Sequence, residues 1–241
     1  MMELAYDLHI HSCLSPCGDP DMTPNNIAGM AMLKELNIIA LTDHNSARNA
    51  PALMEAGERY GLIVIPGMEL TTEEEVHVVC LFAEAEDALA FDRYVYERLM
   101  KVRNKKEIFG EQIIMNGNDE VIGEEEYLLI NATSIPFDSV HEAVSSFNGI
   151  MIPAHLEKGT TSLISNLGMI PPNADFTCAE VNHLDRLHEL MRNHPYLNNV
   201  RIISDSDAHY LQDINEAVHT LAFPNDHPTR REILDTLISV N

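Results

Sequence analysis

The chain has 241 residues, 45% of them hydrophobic, enough to bury a core without disulfide staples and suited to one sizeable domain. Its 38 acidic residues against 15 basic ones give a net charge of -23, a surface that repels polyanions and weighs against extended DNA or RNA as the main ligand. The cysteines Cys13, Cys17, Cys80 and Cys178 form neither a disulfide framework nor a zinc-ribbon spacing; with no signal-like opening and no bilayer-length apolar run, a reduced, cytoplasmic protein without membrane contact is expected.

Short β-branched runs alternate with longer amphipathic ones from end to end, the pattern of a parallel sheet or barrel built from βα units. The expected strands are Ala5–Ile10, Ile38–Thr42, Ile63–Pro66, Val76–Phe82, Ile150–Ala154, Cys178–Val181, Val200–Ser204 and His219–Ala222. Thr23-Pro24 is a helix start signal, followed by apolar residues at Ile27, Met30, Ala31 and Leu33. Helices are also expected over Ser46–Tyr60, Asp87–Val102, Asp138–Phe147, Asp185–Arg192 and Thr229–Ser239. Six of the 15 Lys and Arg fall between Arg93 and Lys106, read as a helix whose cationic end complements its own dipole rather than as a phosphate-contacting patch. One stretch breaks the rhythm. Phe109–Thr133 sets an Asn-Gly turn between two short apolar pieces, and the region 103–133 reads as a hairpin or lid inserted into a single domain spanning 1–241.

The chemistry lies where the strands end. His9 and His11 close the first strand, His44 follows the second, Glu69 the third, and His155 closes a later one; Asp207 and His209 follow another. In an α/β barrel such ends converge on one face. His9 and His11, two apart on a strand, project from the same side, as Asp207 and His209 do if strand geometry continues that far. His77 stands at the beginning of its strand, so that strand is expected to start late or to run the other way. Imidazoles mixed with carboxylates suit zinc, manganese or iron and are too nitrogen-rich for calcium or magnesium; the number of donors suits two or three divalent ions.

The ordered motifs "DLHIHS", "LTDHN", "PGMEL", "HVVCLF", "PAHLEKG" and "SDSDAH" resemble those of the polymerase and histidinol phosphatase (PHP) superfamily, over Asp7 to His209. The resemblance implies a distorted (β/α)7 TIM-like barrel with up to three metals at the C-terminal ends of the strands, hydrolysing phosphoesters with metal-activated water. It implies one ion on His9, His11, Glu69 and Asp207, a second bridged by Glu69 to His77 and His155, and a third on His44 and His209. Where relatives carry an acid or histidine after the His-x-His pair, this chain has Cys17, with Asp19 as its competitor for the metal.

The expected function is a phosphatase acting on a small phosphorylated metabolite or nucleotide. Arg48 and Lys158 are candidate phosphate clamps, and His183, beside Asn182, a further candidate for substrate. A nuclease on short oligonucleotides and an amidohydrolase on the same barrel are the alternatives; against the latter, no lysine ends a middle strand where a carbamylated bridge would sit.

Overall fold

Met2–Ile10 forms the first strand, β1, and from Leu4 onward it is wholly buried, as a strand covered on both faces must be. The computed structural model describes residues 1–239. After β1 come α1 (Pro24–Leu33), β2 (Ile38–Leu41), α2 (Ala50–Glu58), β3 (Ile63–Thr71), β4 (His77–Leu81), α3 (Ala85–Tyr96) and α4 (Lys106–Phe109). The hairpin strands β5 (Ile113–Met115) and β6 (Val121–Glu124) follow, then α5 (Phe137–Ser145), β7 (Ile150–Pro153), α6 (Leu163–Leu167) and β8 (Cys178–Glu180). The order closes with α7 (Leu187–Asn193), β9 (Arg201–Ile203), β10 (Thr220–Phe223) and α8 (Arg230–Ile238). The Thr23 side chain accepts from the Asn26 N–H and so caps α1, with Pro24 in its first turn; Thr229 and Glu232 form a reciprocal capping box on α8.

Six strands form one sheet in the order β10-β1-β2-β3-β4-β7, and β8 and β9 form a separate parallel pair. The sheet curls into a partial barrel. Beyond its β7 edge the Leu156 N–H donates to the Glu180 carbonyl (2.9 Å), and beside β1 Ile10 forms a parallel bridge with Ala208, past the end of β9. The expectation of a parallel sheet is corrected at β10, while at β4 the alternative that the His77 strand runs the other way holds. β10 runs antiparallel to β1, and β4 runs antiparallel to both β3 and β7. The reason for the second is chain length: Thr72–Val76 is all that joins β3 to β4, and a parallel crossover needs roughly a dozen residues. Reversal carries the start of β4 to the rim where the other strands end, which brings His77 opposite Thr71. Gly67 permits the close pairing, since a Cβ there would lie 2.6 Å from the Cys80 carbonyl oxygen.

Two helices are shorter than expected. α2 starts at Ala50 because Asn45–Asn49 belongs to the loop over the rim, and α3 ends at Tyr96. Arg98 to Lys106 therefore follow the helix rather than cap it, which corrects the dipole reading; Arg103 pairs with Glu126 (3.0 Å) and Lys106 with Glu124. The hairpin β5–β6 forms around the Asn-Gly turn, and Leu99–Thr133 and Arg103–Tyr127 bridges tie its ends together. The hairpin also reaches the rim: the Ile113 N–H donates to the Cys13 carbonyl (3.0 Å), and the Asn49 amide donates to that of Ile113 (3.0 Å). All four cysteines are free, with Cys13, Cys80 and Cys178 buried. Among the described residues no helix is long and apolar enough to cross a membrane.

Candidate metal centre

The bridge between Ile10 and Ala208 sets the register of the site. Its neighbours on one chain are His9 and His11, and on the other Asp207 and His209, so the two His-x-His and Asp-x-His pairs are laid side by side. A second parallel bridge joins His44 to Glu69. The strand ends thus deliver their polar side chains to one buried point, at the centre of which stands Glu69, 1% exposed.

Around the Glu69 carboxylate, Oε1 lies 2.8 Å from His77 Nδ1, 3.1 Å from His155 Nε2 and 3.4 Å from His9 Nε2. Oε2 lies 3.0 Å from His44 Nδ1 and 3.4 Å from His11 Nε2. Asp207 Oδ1 approaches His11 Nε2 (3.2 Å) and His9 Nε2 (3.5 Å). Three sets of donor atoms each lie within 4.8 Å of one another: His9, His11, Glu69 and Asp207; His44, Glu69 and His77; and His11, His44 and His209. His155 and Asp207 are both held at positive φ, 32° and 52°, conformations costly for residues with a Cβ and found where a site dictates side-chain placement.

The tautomers show what these atoms are suited to hold. His9 Nδ1 donates to Glu180 Oε2 (2.7 Å), and His11 Nδ1 to the Ser15 hydroxyl (2.9 Å), which itself donates to Asp43 Oδ1 (2.7 Å). With both Nδ1 atoms donating outward, the Nε2 atoms of the two rings face each other at 3.2 Å. That contact is repulsive unless a cation sits against it. His44 Nδ1 and Glu69 Oε2 are likewise buried without a well-directed hydrogen bond. The donor set therefore fits divalent metal ions of the zinc, manganese and iron type.

In the metal-free protein, protons take that role. Burial opposes charge on His9, but Glu180, Glu69 and Asp207 outweigh it and hold its imidazole well above the ordinary value. Burial, with His209 and His44 beside it, holds His11 well below, and burial also lowers His44 against the attraction of Glu69. Burial would raise Glu69, yet His77, His9 and His44 keep it well below the usual carboxylate range. The consequence for stability has a definite sign. His11 and His44 stay neutral in the fold while unfolded imidazoles take up protons below about pH 6.5, so chelator-treated protein should lose ~1.4 kcal/mol per pH unit for each of the two. The His9 contribution runs the other way: it is complete below about pH 6.5 and disappears as pH rises through its raised folded value. Urea midpoints between about pH 6.5 and 5 measure this, and a flat profile there would show that the two rings are already protonated in the fold.

The remaining sequence candidates are distributed around this centre. Lys158, after β7, places its ammonium on Asp207 Oδ2. Arg48 is engaged elsewhere: it pairs with Glu125 and Asp92 and packs over the Tyr96 ring at 4.8 Å. His183 is exposed, and its N–H donates, as does that of Asn182, to Glu157 Oε1 (2.8 and 2.9 Å). Cys17 lies at the mouth, exposed at its surface, its thiol pushed up to about 12 by the crowding around it and then by Glu69 and Asp207. It belongs to none of the three donor sets. Asp19 turns its carboxylate to the N–H of Asp21 in its own loop (2.9 Å). Sequence reading missed Glu180, Asp43 and Ser15. The one signal for Glu180 was a carboxylate closing an otherwise apolar strand; Asp43 stood in plain view beside His44.

The profile of the PHP domain matches residues 7–219. The 5′-3′ exoribonuclease Rnm of Salmonella typhimurium is 36% identical over 81 residues, a stretch covering 32% of this chain and 27% of that protein. The matches to the curated relatives span between 27% and 46% of their lengths. Among solved structures, a lesion-specific endonuclease, endonuclease Q from Pyrococcus furiosus, superposes with a TM-score of 0.58 at 18% identity, over 86% of this chain and 49% of that one. An amidohydrolase from Chromobacterium violaceum, with bound sulfate and no metal, does so with a TM-score of 0.61 at 17% identity over 98% of both chains. At these identities the two structures speak to the fold alone.

Proposed function

This chain belongs to the PHP domain family, and from that premise we propose that it is a metal-dependent phosphoesterase acting on a small phosphorylated substrate, a nucleotide or another phosphorylated metabolite. The observation that carries the reading is the burial of Glu69 among His9, His11, His44, His77 and His155, each with a ring nitrogen turned toward its carboxylate. In this reading His9, His11, Glu69 and Asp207 hold one ion, and Glu69 is shared with a second on His77, with His44 or His155 completing it. His44 or His209 then serves a third. Divalent ions held there would lower the pKa of water to about 7 and neutralise phosphoryl oxygens.

The protein's own residues do the rest. Glu69, Asp207 and the imidazoles fix the place of reaction at a largely buried cluster. Lys158, released from Asp207 when that carboxylate takes a cation, is placed to donate to a phosphoryl oxygen. Cys17 at the mouth can become a thiolate donor only where a cation offsets the charges that now keep it protonated. Lys158→Met is expected to lower kcat/KM about 10–100-fold with metal content unchanged, the worth of one charge-assisted hydrogen bond. Equal kcat/KM in the two proteins would remove Lys158 from the substrate site.

A second reading, a nuclease acting at the end of a short strand, is favoured by the similarity to an exoribonuclease over 81 residues. The net charge of -23 and the pairing of Arg103 and Lys106 with glutamates oppose a long nucleic-acid track. A panel of nucleoside monophosphates, p-nitrophenyl phosphate and a 5′-phosphorylated oligoribonucleotide, assayed with manganese, decides between them. Release of inorganic phosphate from the small esters supports the first reading, and shortening of the oligonucleotide alone supports the second.

A further inference from the structure

We infer that Glu180 is the positioning residue of the metal centre, the acid that holds His9 in its ligating tautomer and so sets how tightly the ion shared by His9, His11, Glu69 and Asp207 is bound. The inference rests on the metal-dependent reading above. Glu180 closes β8, a strand that contributes no ligand of its own, and is 1% exposed. Its Oε2 lies 2.7 Å from Nδ1 of His9, which is fully buried, and this contact leaves Nε2 directed at Glu69 and Asp207. His11, the partner ligand, is held instead through a neutral hydroxyl, Ser15, with Asp43 one step behind. A carboxylate in direct contact makes an imidazole a stronger donor and stiffens the ring more than a hydroxyl does. Of the two rings that face each other at 3.2 Å, His9 is thus the anchored one.

Apart from the His9 contact, no side-chain hydrogen bond offsets the burial of this acid. Glu180 Oε1 has no hydrogen-bond partner, and neither has Oδ2 of Asp205, a second buried carboxyl group. Burying a carboxyl oxygen without a partner carries a desolvation cost. The cost is local, and what it secures is the His9 contact.

Glu180→Gln tests this role, because it keeps the shape and can accept from His9 while removing the negative charge behind the ring. Manganese affinity, measured by competition with a chromophoric chelator, is expected to fall about 10–100-fold. The metal-free variant should keep the parent's circular-dichroism spectrum, so that the loss of affinity reports on the site rather than on the fold. Nitrogen-detected NMR of the zinc-loaded proteins should show the His9 ring with Nδ1–H alone in the parent and with mixed tautomers in the variant, and Ser15→Ala should weaken manganese less than Glu180→Gln does. Unchanged affinity, or a larger loss in Ser15→Ala than in Glu180→Gln, would overturn the inference. A parent protein that binds no manganese would instead sink the metal-dependent reading, so the two failures are distinguishable.

Discussion

Glu69→Gln is expected to fold and to lose its metal together with its phosphoesterase activity, by on the order of 10³-fold or more, the several kcal/mol of charge stabilisation that bound ions supply. The expectation follows from the crowding on one side chain. Both Glu69 oxygens are surrounded by ring nitrogens, Oε1 by those of His77, His155 and His9 and Oε2 by those of His44 and His11. No other residue can bridge two of the three donor sets through separate oxygens, since each imidazole nitrogen serves one ion. An amide keeps one oxygen and turns N–H groups toward bare nitrogens, so the variant retains its hydrogen bonds and loses its bridge. Elemental analysis beside an assay with p-nitrophenyl phosphate measures both quantities. Wild-type turnover in Glu69→Gln protein would mean that the centre does not run through this carboxylate.

Removal of the metal is the second large effect. Chelation should abolish turnover, and added manganese or zinc should restore it, with a separate signature in stability. An ion present at a hundredfold excess over its dissociation constant stabilises the fold by about 2.7 kcal/mol, which for a domain of this size raises Tm by about 5–10 °C. The rise should be steep in pH, because His9, protonated in the free protein by Glu180, Glu69 and Asp207, must release that proton to bind an ion through Nε2. A Tm indifferent to manganese between pH 6 and 8, in protein stripped of metal, would show that these side chains form a proton-filled ion-pair cluster and nothing more.

The sequence was legible where spacing alone fixes geometry. A histidine two residues from another on a strand must share its face, and the Ile10–Ala208 bridge sets Asp207 and His209 beside His9 and His11 in that manner. The turn Thr72–Val76 contained the direction of β4, since its length forbids a crossover, and the placement of His77 was readable once the turn was weighed. Other features are set by contacts that no local pattern encodes. α3 stops at Tyr96 because the chain leaves for the hairpin, while helical spacing continued beyond it. Arg48 looked free to clamp a phosphate, and its partners Asp92 and Glu125 come from distant segments. Glu180 stands 171 residues from His9, and nothing short of the folded chain pairs them.

The Ile10–Ala208 contact carries a consequence for biosynthesis. It joins residues near the two extremes of the chain, and the ion set of His9, His11, Glu69 and Asp207 is divided across it. A nascent polypeptide still lacking Asp207 offers an incoming cation only His9, His11 and Glu69 of that set, without the register that brings them together. Metal capture at this set would therefore come late in folding, after that distant contact closes, rather than guiding the earlier strands into place.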